Sequence, residues 1–167
     1  MSDNGSLVSA QELRTVVGTF PSGITIVTTR SVDGHDVGMS VSSFASISMD
    51  PPMVMVSVGN QASALPHLGV GSAVGISVLA EGQAWIARHF SRKDIDRFQG
   101  VEQWRGTDGV VLVDGAAAWF TGHLTAALPG GDHTIFTVTV DSCGTTEDAR
   151  PLVYKRGQAF DRVEYQI

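Results

Sequence analysis

Apolar residues first recur with a helical period at Leu13, Val16, Val17 and Phe20, spaced i, i+3, i+4 and i+7. Ser9 and Glu12 precede them with the spacing of a capping box, so an amphipathic helix is predicted here. Gly18 and then Pro21-Ser22-Gly23 end it, and the β-branched run Ile24 to Thr29 predicts a strand. Asp33-Gly34 supplies a hairpin turn, and Met53 to Val58 and Ala73 to Leu79 predict two more strands. Ala64, Leu65 and Leu68 suggest a short amphipathic helix between those two. From Glu81 the period turns helical through Trp85, Ile86, His89 and Phe90, with Ser91-Arg92-Lys93 at the helix end, where cations complement the dipole. Asp94 to Gly109 reads as a surface excursion and Val110 to Gly115 as a return to the core. Ala116 to Leu128 and His133 to Val140 predict a hairpin closed by Pro129-Gly130-Gly131-Asp132, and PLVYKRG with QAFDRVEY predicts a terminal one around Gly157.

Strands outnumber helices and are joined mostly by turns, which argues for an all-β antiparallel barrel with a few peripheral helices rather than a doubly wound sheet. There is no internal repeat or linker, so residues 1–167 form one domain, with 1–8 expected to be a flexible tail. One stretch departs from ordinary core composition. Between Gly38 and Pro52, Ser40, Ser42, Ser43, Ser46 and Ser48 alternate with Met39, Val41, Phe44, Ile47 and Met49. Apolar anchoring continues while hydroxyls and backbone amides are presented between the anchors, a mixture suited to an anion or a heteroaromatic ring. A serine-rich strand facing water is the competing reading.

Composition narrows the function classes. With 43% hydrophobic and 17% charged residues, the chain is too apolar for disorder. A net charge of −6 offers no basic footprint for nucleic acid or an anionic membrane. Cys143 is the single cysteine, which excludes an intrachain disulfide and suits a reducing cytoplasm. The start lacks a cationic leader with an apolar core, and no apolar run approaches the roughly 20 residues of a membrane helix.

Candidate chemistry is sparse. No GxSxG elbow marks a nucleophile, no HxH or HExxH pair marks a metal, and neither GxGxxG nor GxxxxGK[ST] occurs. Cys143, in what reads as an Asp-Ser-Cys-Gly turn, has no nucleophile signature around it. Among His35, His67, His89, His123 and His133, the last stands out because GGD precedes it at a strand start, where Asp132 biases its charge or tautomer. Arg92 and Lys93 could reach a phosphate.

Taken in order, FPSGITIVTT, GMSVSSFASISMDPPMVMVSV, ISVLAEGQ, ARHFS, GGDHTIF and PLVY resemble the short-chain flavin reductases of the FMN-binding split-barrel fold, across nearly the whole chain. The resemblance implies a Greek-key barrel, a homodimer, and NAD(P)H-dependent reduction of FMN or FAD. It also implies a separate flavin-dependent monooxygenase, supplied through diffusing reduced flavin. It implies ring and ribityl contacts from Ser40, Val41, Ser42 and Ser43, and pyrimidine-edge and phosphate-side contacts from Ser46, Ile47 and Ser48. Gln61, Ala62 and Ser63 would line the same pocket, Phe90, Arg92 and Lys93 would close on the phosphate, Pro21 and Ser22 would approach the ring, and His133 would face the nicotinamide of NADH or NADPH. Two other readings share the barrel: a non-catalytic flavin-binding protein, which would not need His133, and a pyridoxamine-phosphate-oxidase-like enzyme, for which 11 Lys and Arg are few.

Overall fold

The computed structural model describes residues 7–156 and 158–160. Residues 1–6 of the expected tail, Gly157, and residues 161–165 of the expected terminal hairpin lie outside the described residues.

The predicted first helix is α1, Ala10–Val17, and its capping box is formed: Ser9 Oγ accepts from the Glu12 N–H, and Glu12 Oε2 accepts from the Ser9 N–H and hydroxyl. After it come β1 (Ser22–Gly23), β2 (Thr25–Arg30), β3 (Asp36–Val41), β4 (Ala45–Met49), β5 (Pro52–Gly59) and β6 (Ala73–Val78). The second helix, α2, spans Ala84–Ser91. A small hairpin of β7 (Gln103–Arg105) and β8 (Val111–Val113) precedes β9 (Ala118–Gly130), β10 (His133–Thr145), β11 (Val153–Lys155) and β12 (Gln158–Phe160).

Seven strands form one antiparallel sheet in the order β3-β2-β6-β9-β10-β5-β4. The β5–β6 connection skips the β9–β10 hairpin, the return that gives the order its Greek-key character. Strands β3 and β4 are consecutive in the chain yet occupy opposite edges, joined only by Ser42 to Phe44. Laid flat, six strand spacings would part those edges by about 29 Å. The link from Val41 to Ala45 reaches about 14 Å at most, so the sheet curls until its edges meet. Ser43 ties this link to β5, its Oγ donating to the Ser57 carbonyl at 2.8 Å and accepting from the Ser57 N–H at 3.0 Å. Inside the curl lie Val27, Met39, Val41, Val54, Val56, Val58, Ile76, Leu124, Phe136 and Val138.

A second core lies between the barrel, α2 and the small sheet β1-β11-β12, and contains Ile24, Ile26, Leu79, Ile86, Phe90 and Leu152. Helix α2 sits against β3 because Gly38 leaves a notch: a Cβ there would lie 2.6 Å from Phe90 Cε1 and 3.0 Å from Phe98 Cζ. Phe90 and Phe98 meet edge to face at 5.2 Å in that notch.

Several expectations change in detail. The serine segment is two strands rather than one, because the chain crosses from one sheet edge to the other at Ser42–Phe44. Leu65–His67 form a single 3-10 turn, too short for the expected helix, although Ala64 and Leu68 are buried. The buried side of α2 is Ala84, Ile86, Ala87 and Phe90, while Trp85 and His89 stay on its outer side, 6.2 Å apart. The long hairpin turns in two residues, Gly131 (φ 74°) and Asp132, since Pro129 and Gly130 still pair with Thr134 and His133. Cys143 lies within β10 opposite Phe120, not in a turn, because the strand continues past an irregularity at Val140/Ser142.

Candidate functional site: two clefts along the barrel seam

Both large cavities open beside the seam. The smaller, about 630 Å³, is lined by Ile24, Ser40, Val41 and Ser42 from the barrel, Ala84, Ala87, Arg88 and Ser91 from α2, and Tyr154, Gln158 and Ala159 from the small sheet. The larger, about 930 Å³, is lined by Arg14, Thr15, Val17, Gly18 and Phe20, by Ser22, by the seam residues Ser42 to Ala45, and by Met55, Tyr154 and Arg156. Ser42 and Tyr154 belong to both linings, so the two cavities share a wall.

Each wall has a local cause. Residues 38 and 40 lie on one face of β3, and Phe90 seated at Gly38 sets the register that brings Ala87 and Arg88 over Ser40. Tyr154 is carried in by β11, which pairs with β1 (Ser22 opposite Tyr154) and is drawn to the barrel by the Leu152 N–H donating to the Leu79 carbonyl. The serines separate by partner. Ser43 spends its hydroxyl on Ser57, whereas the hydroxyls of Ser40 and Ser42 form no hydrogen bond within the described residues. Arg88 is likewise unpaired with any carboxylate among them.

The expected residues distribute as follows. Ser22, Ser40, Val41, Ser42 and Ser43 are brought together at the two clefts. Pro21 is exposed just outside β1. Ser46, Ile47 and Ser48 lie on the edge strand β4, paired to or bulged from β5, and line neither cleft. Gln61 is exposed and Ala62 packs against the barrel core. Ser63 borders a third, smaller hollow, where Arg97 donates to its Oγ and to the Gly38 carbonyl. Phe90, 1% exposed, is a core side chain with no path to a solute. Arg92 and Lys93 are exposed just past Ser91 at the end of α2. His133 is exposed at the hairpin tip, opposite Gly59, with Nδ1 2.7 Å from Asp132 Oδ1. That hydrogen bond, with the histidine's charge and a smaller contribution from Arg14, holds the Asp132 carboxyl below the usual carboxylate range. Neither Asp132 nor His133 lines either cleft.

Sequence reasoning passed over Arg14, Arg88, Tyr154 and Arg156. Arg88 and Tyr154 stand inside ARHFS and PLVY, where the apolar neighbours drew the reading toward packing. The buried Ser77 is structural, its Oγ accepting from the Val113 N–H. No cluster of three or more His, Cys, Asp or Glu able to hold a metal occurs among the described residues.

The fold is thus a curled antiparallel barrel with two clefts, of about 630 and 930 Å³, that adjoin at its seam. Residues 17–162 match the family model described as "Flavin reductase like domain", and the chain belongs to that family. It is 36% identical over 154 residues to an NADH-dependent flavin reductase of a Rhodococcus species, covering 90% of this chain and 85% of that protein. It is 33% identical over 160 residues to the reductase component of a flavin-dependent trigonelline monooxygenase of Acinetobacter baylyi, covering 96% of this chain and 51% of that protein. The chain thus spans about half the length of that relative. Among solved structures, an NADH:FAD oxidoreductase of Streptomyces globisporus in complex with NAD and FAD fragments superposes with a TM-score of 0.86 at 32% identity. The match covers 96% of this chain and 98% of that one.

Proposed function

We propose that the protein is an NADH-dependent flavin reductase that hands reduced flavin to a separate monooxygenase component. The observation that carries this reading is the shared wall at Ser42 and Tyr154. Hydride transfer needs donor and acceptor rings about 3–3.5 Å apart. Two clefts that adjoin at Ser42 and Tyr154 would let the two rings meet where the cavities run together.

The residues of the smaller cleft fit a flavin: unspent hydroxyls at Ser40 and Ser42, an apolar backing from Ile24, Ala84 and Ala87, and a guanidinium at Arg88. When bound, flavin supplies an N5 atom that accepts hydride. The protein's part is orientation and electrostatics. Ser40 and Ser42 donate to the ring and ribityl chain, Val41 fixes the backbone beneath them, and Arg88 holds the phosphate, with Arg92 and Lys93 adding positive charge outside. His133, steadied by Asp132, orients the carboxamide of the nicotinamide and does not serve as an obligatory acid.

The protein is proposed to be a homodimer. Arg14 and Val17 of α1 and its C-cap Gly18 line the larger cleft, while Leu13 and Val16 continue the apolar stripe of Val17 onto a side where they are 54% and 67% exposed. A second copy covering that side, with Ile47 and Met49 of the edge strand, would remove the apolar surface from water. Leu13→Glu with Val16→Glu is expected to convert dimer to monomer in light scattering; an unchanged mass places the interface elsewhere. A cytoplasmic location accords with the lone, exposed Cys143.

The activity is tested by mixing the protein with NADH or NADPH and with FMN or FAD, and following loss of the reduced nicotinamide absorbance. Rapid oxidation with NADH is expected, and no oxidation with any of the four pairs would sink the reading. Adding a flavin-dependent monooxygenase under air then tests delivery.

A further inference from the structure

The hairpin of β7 and β8, residues 103–113, forms a strap over the outside of the barrel, away from both clefts. At its centre the Val111 carbonyl accepts from Thr28 Oγ1 of β2, and the Val113 N–H donates to Ser77 Oγ of β6. On one side Arg105 reaches Asp36 of β3, its two terminal nitrogens each 2.6 Å from a carboxylate oxygen. On the other side the strap meets β9 at three rungs. Trp104 lies edge to face with Trp119 at 5.1 Å, Thr107 accepts from the Thr121 hydroxyl at 3.3 Å, and Asp108 faces His123. Asp108 stands at φ 55°, in the left-handed region that side chains seldom occupy, so a partner for its carboxylate helps to fix the tip.

His123 has a carboxylate at each ring nitrogen. Nδ1 is 2.7 Å from Asp141 Oδ2 of β10, and Nε2 is 3.3 Å from Asp108 Oδ2. An imidazolium donates to both. A neutral ring has one N–H, which the shorter contact with Asp141 claims, and it then turns the Nε2 lone pair on the Asp108 carboxylate. The side chain is 41% exposed, so water can supply and remove the proton. The other charges near the tip are engaged elsewhere: Arg105 and Arg30 face Asp36, and Arg105 also donates to the Gly109 carbonyl. On β6, the other neighbour of β9, the uncharged Ala73 lies opposite His123.

We propose that His123 is a proton-operated latch. Protonated, it holds the tip of the strap against β9; neutral, it releases that side while Arg105 and Asp36 keep the other fastened. Val101, just before the strap, and Val113, at its end, share a core with Ile86 and Phe90, so a loosened strap bears on α2, a wall of the smaller cleft. The inference stands apart from the flavin reductase reading and survives its failure.

The Trp104–Trp119 pair supplies the readout, an exciton couplet in far-ultraviolet circular dichroism that Trp104→Phe should remove. In the wild-type protein the couplet is expected to weaken as pH rises across the histidine range, the docking equilibrium falling roughly two- to five-fold, as for loss of an exposed ion pair. His123→Gln and Asp108→Asn, the second tolerant of the same backbone, are each expected to lose this pH dependence. A wild-type couplet that stays constant across that range, or a dependence that persists in His123→Gln, overturns the proposal. Nuclear magnetic resonance of the wild-type protein gives a second reading that needs no variant to fold. The Trp104 indole N–H signal should move with the midpoint of the His123 ring, and an unmoved signal or a different midpoint also overturns it.

Discussion

The two α-helices, α1 and α2, are each eight residues long and similarly amphipathic, yet they meet different surroundings. Helix α2 buries Ala84, Ile86, Ala87 and Phe90 and is locked by the Gly38 notch. Helix α1 buries none of its residues and is held by its caps and by the Gly18 carbonyl, which accepts from the Arg156 N–H. Amphipathic sequence therefore does not say what an apolar face will meet. One helix is a fixed wall of the smaller cleft, and the other borders the larger cleft with its apolar residues left exposed.

The largest test of this contrast is Phe90→Ala, expected to cost about 3–5 kcal/mol in chemical denaturation, against about 0.5 kcal/mol or less for Val17→Ala on α1. Comparable losses would erase the distinction. Gly38→Ala comes next: a Cβ 2.6 Å from Phe90 Cε1 forces the helix off β3, at about 1–3 kcal/mol. It should also weaken flavin binding, since the register over Ser40 moves, and titration of flavin fluorescence would read this. Arg88→Gln should leave the fold intact and raise the KM for FMN roughly ten-fold while leaving that for riboflavin, which lacks the phosphate, nearly unmoved. A parallel rise for both would detach Arg88 from the phosphate.

The smallest effect concerns acid. Ser9 hydrogen bonds, from its side chain and then its backbone, hold the Glu12 carboxyl below its ordinary value. A carboxylate so depressed adds stability that is present above its unfolded pKa and is lost as pH falls through the folded one. Helix α1 should therefore fray as pH falls below the ordinary carboxylate range. Helical circular dichroism should decline there before the strand signal does.

Much of the architecture was legible because β-branched runs such as Thr25 to Thr29 and alternating runs such as Val54, Val56 and Val58 carry their burial in their own pattern. The split of the serine segment was not, since it depends on which edges β3 and β4 join, a property of the whole sheet. The clefts were legible where backbone and seam coincide, at Ser40 to Ser43. Phe90 was expected at the site from the resemblance alone, whereas its neighbours Arg88 and Ser91 line the cleft, and only the notch at Gly38 separates the anchor from the residues it positions. Arg14 and Arg156 are 142 positions apart, and no local spacing links them.

The two hydrogen bonds between Ser43 and Ser57 hold the link that crosses between the sheet edges against β5, beside the proposed binding floor. A ligand resting on Ser42 would then act as a clasp, favouring the closed form in proportion to its occupancy. Amide exchange at Ser57 would slow as the clasp fills, letting one backbone proton on β5 count how often the link comes undone.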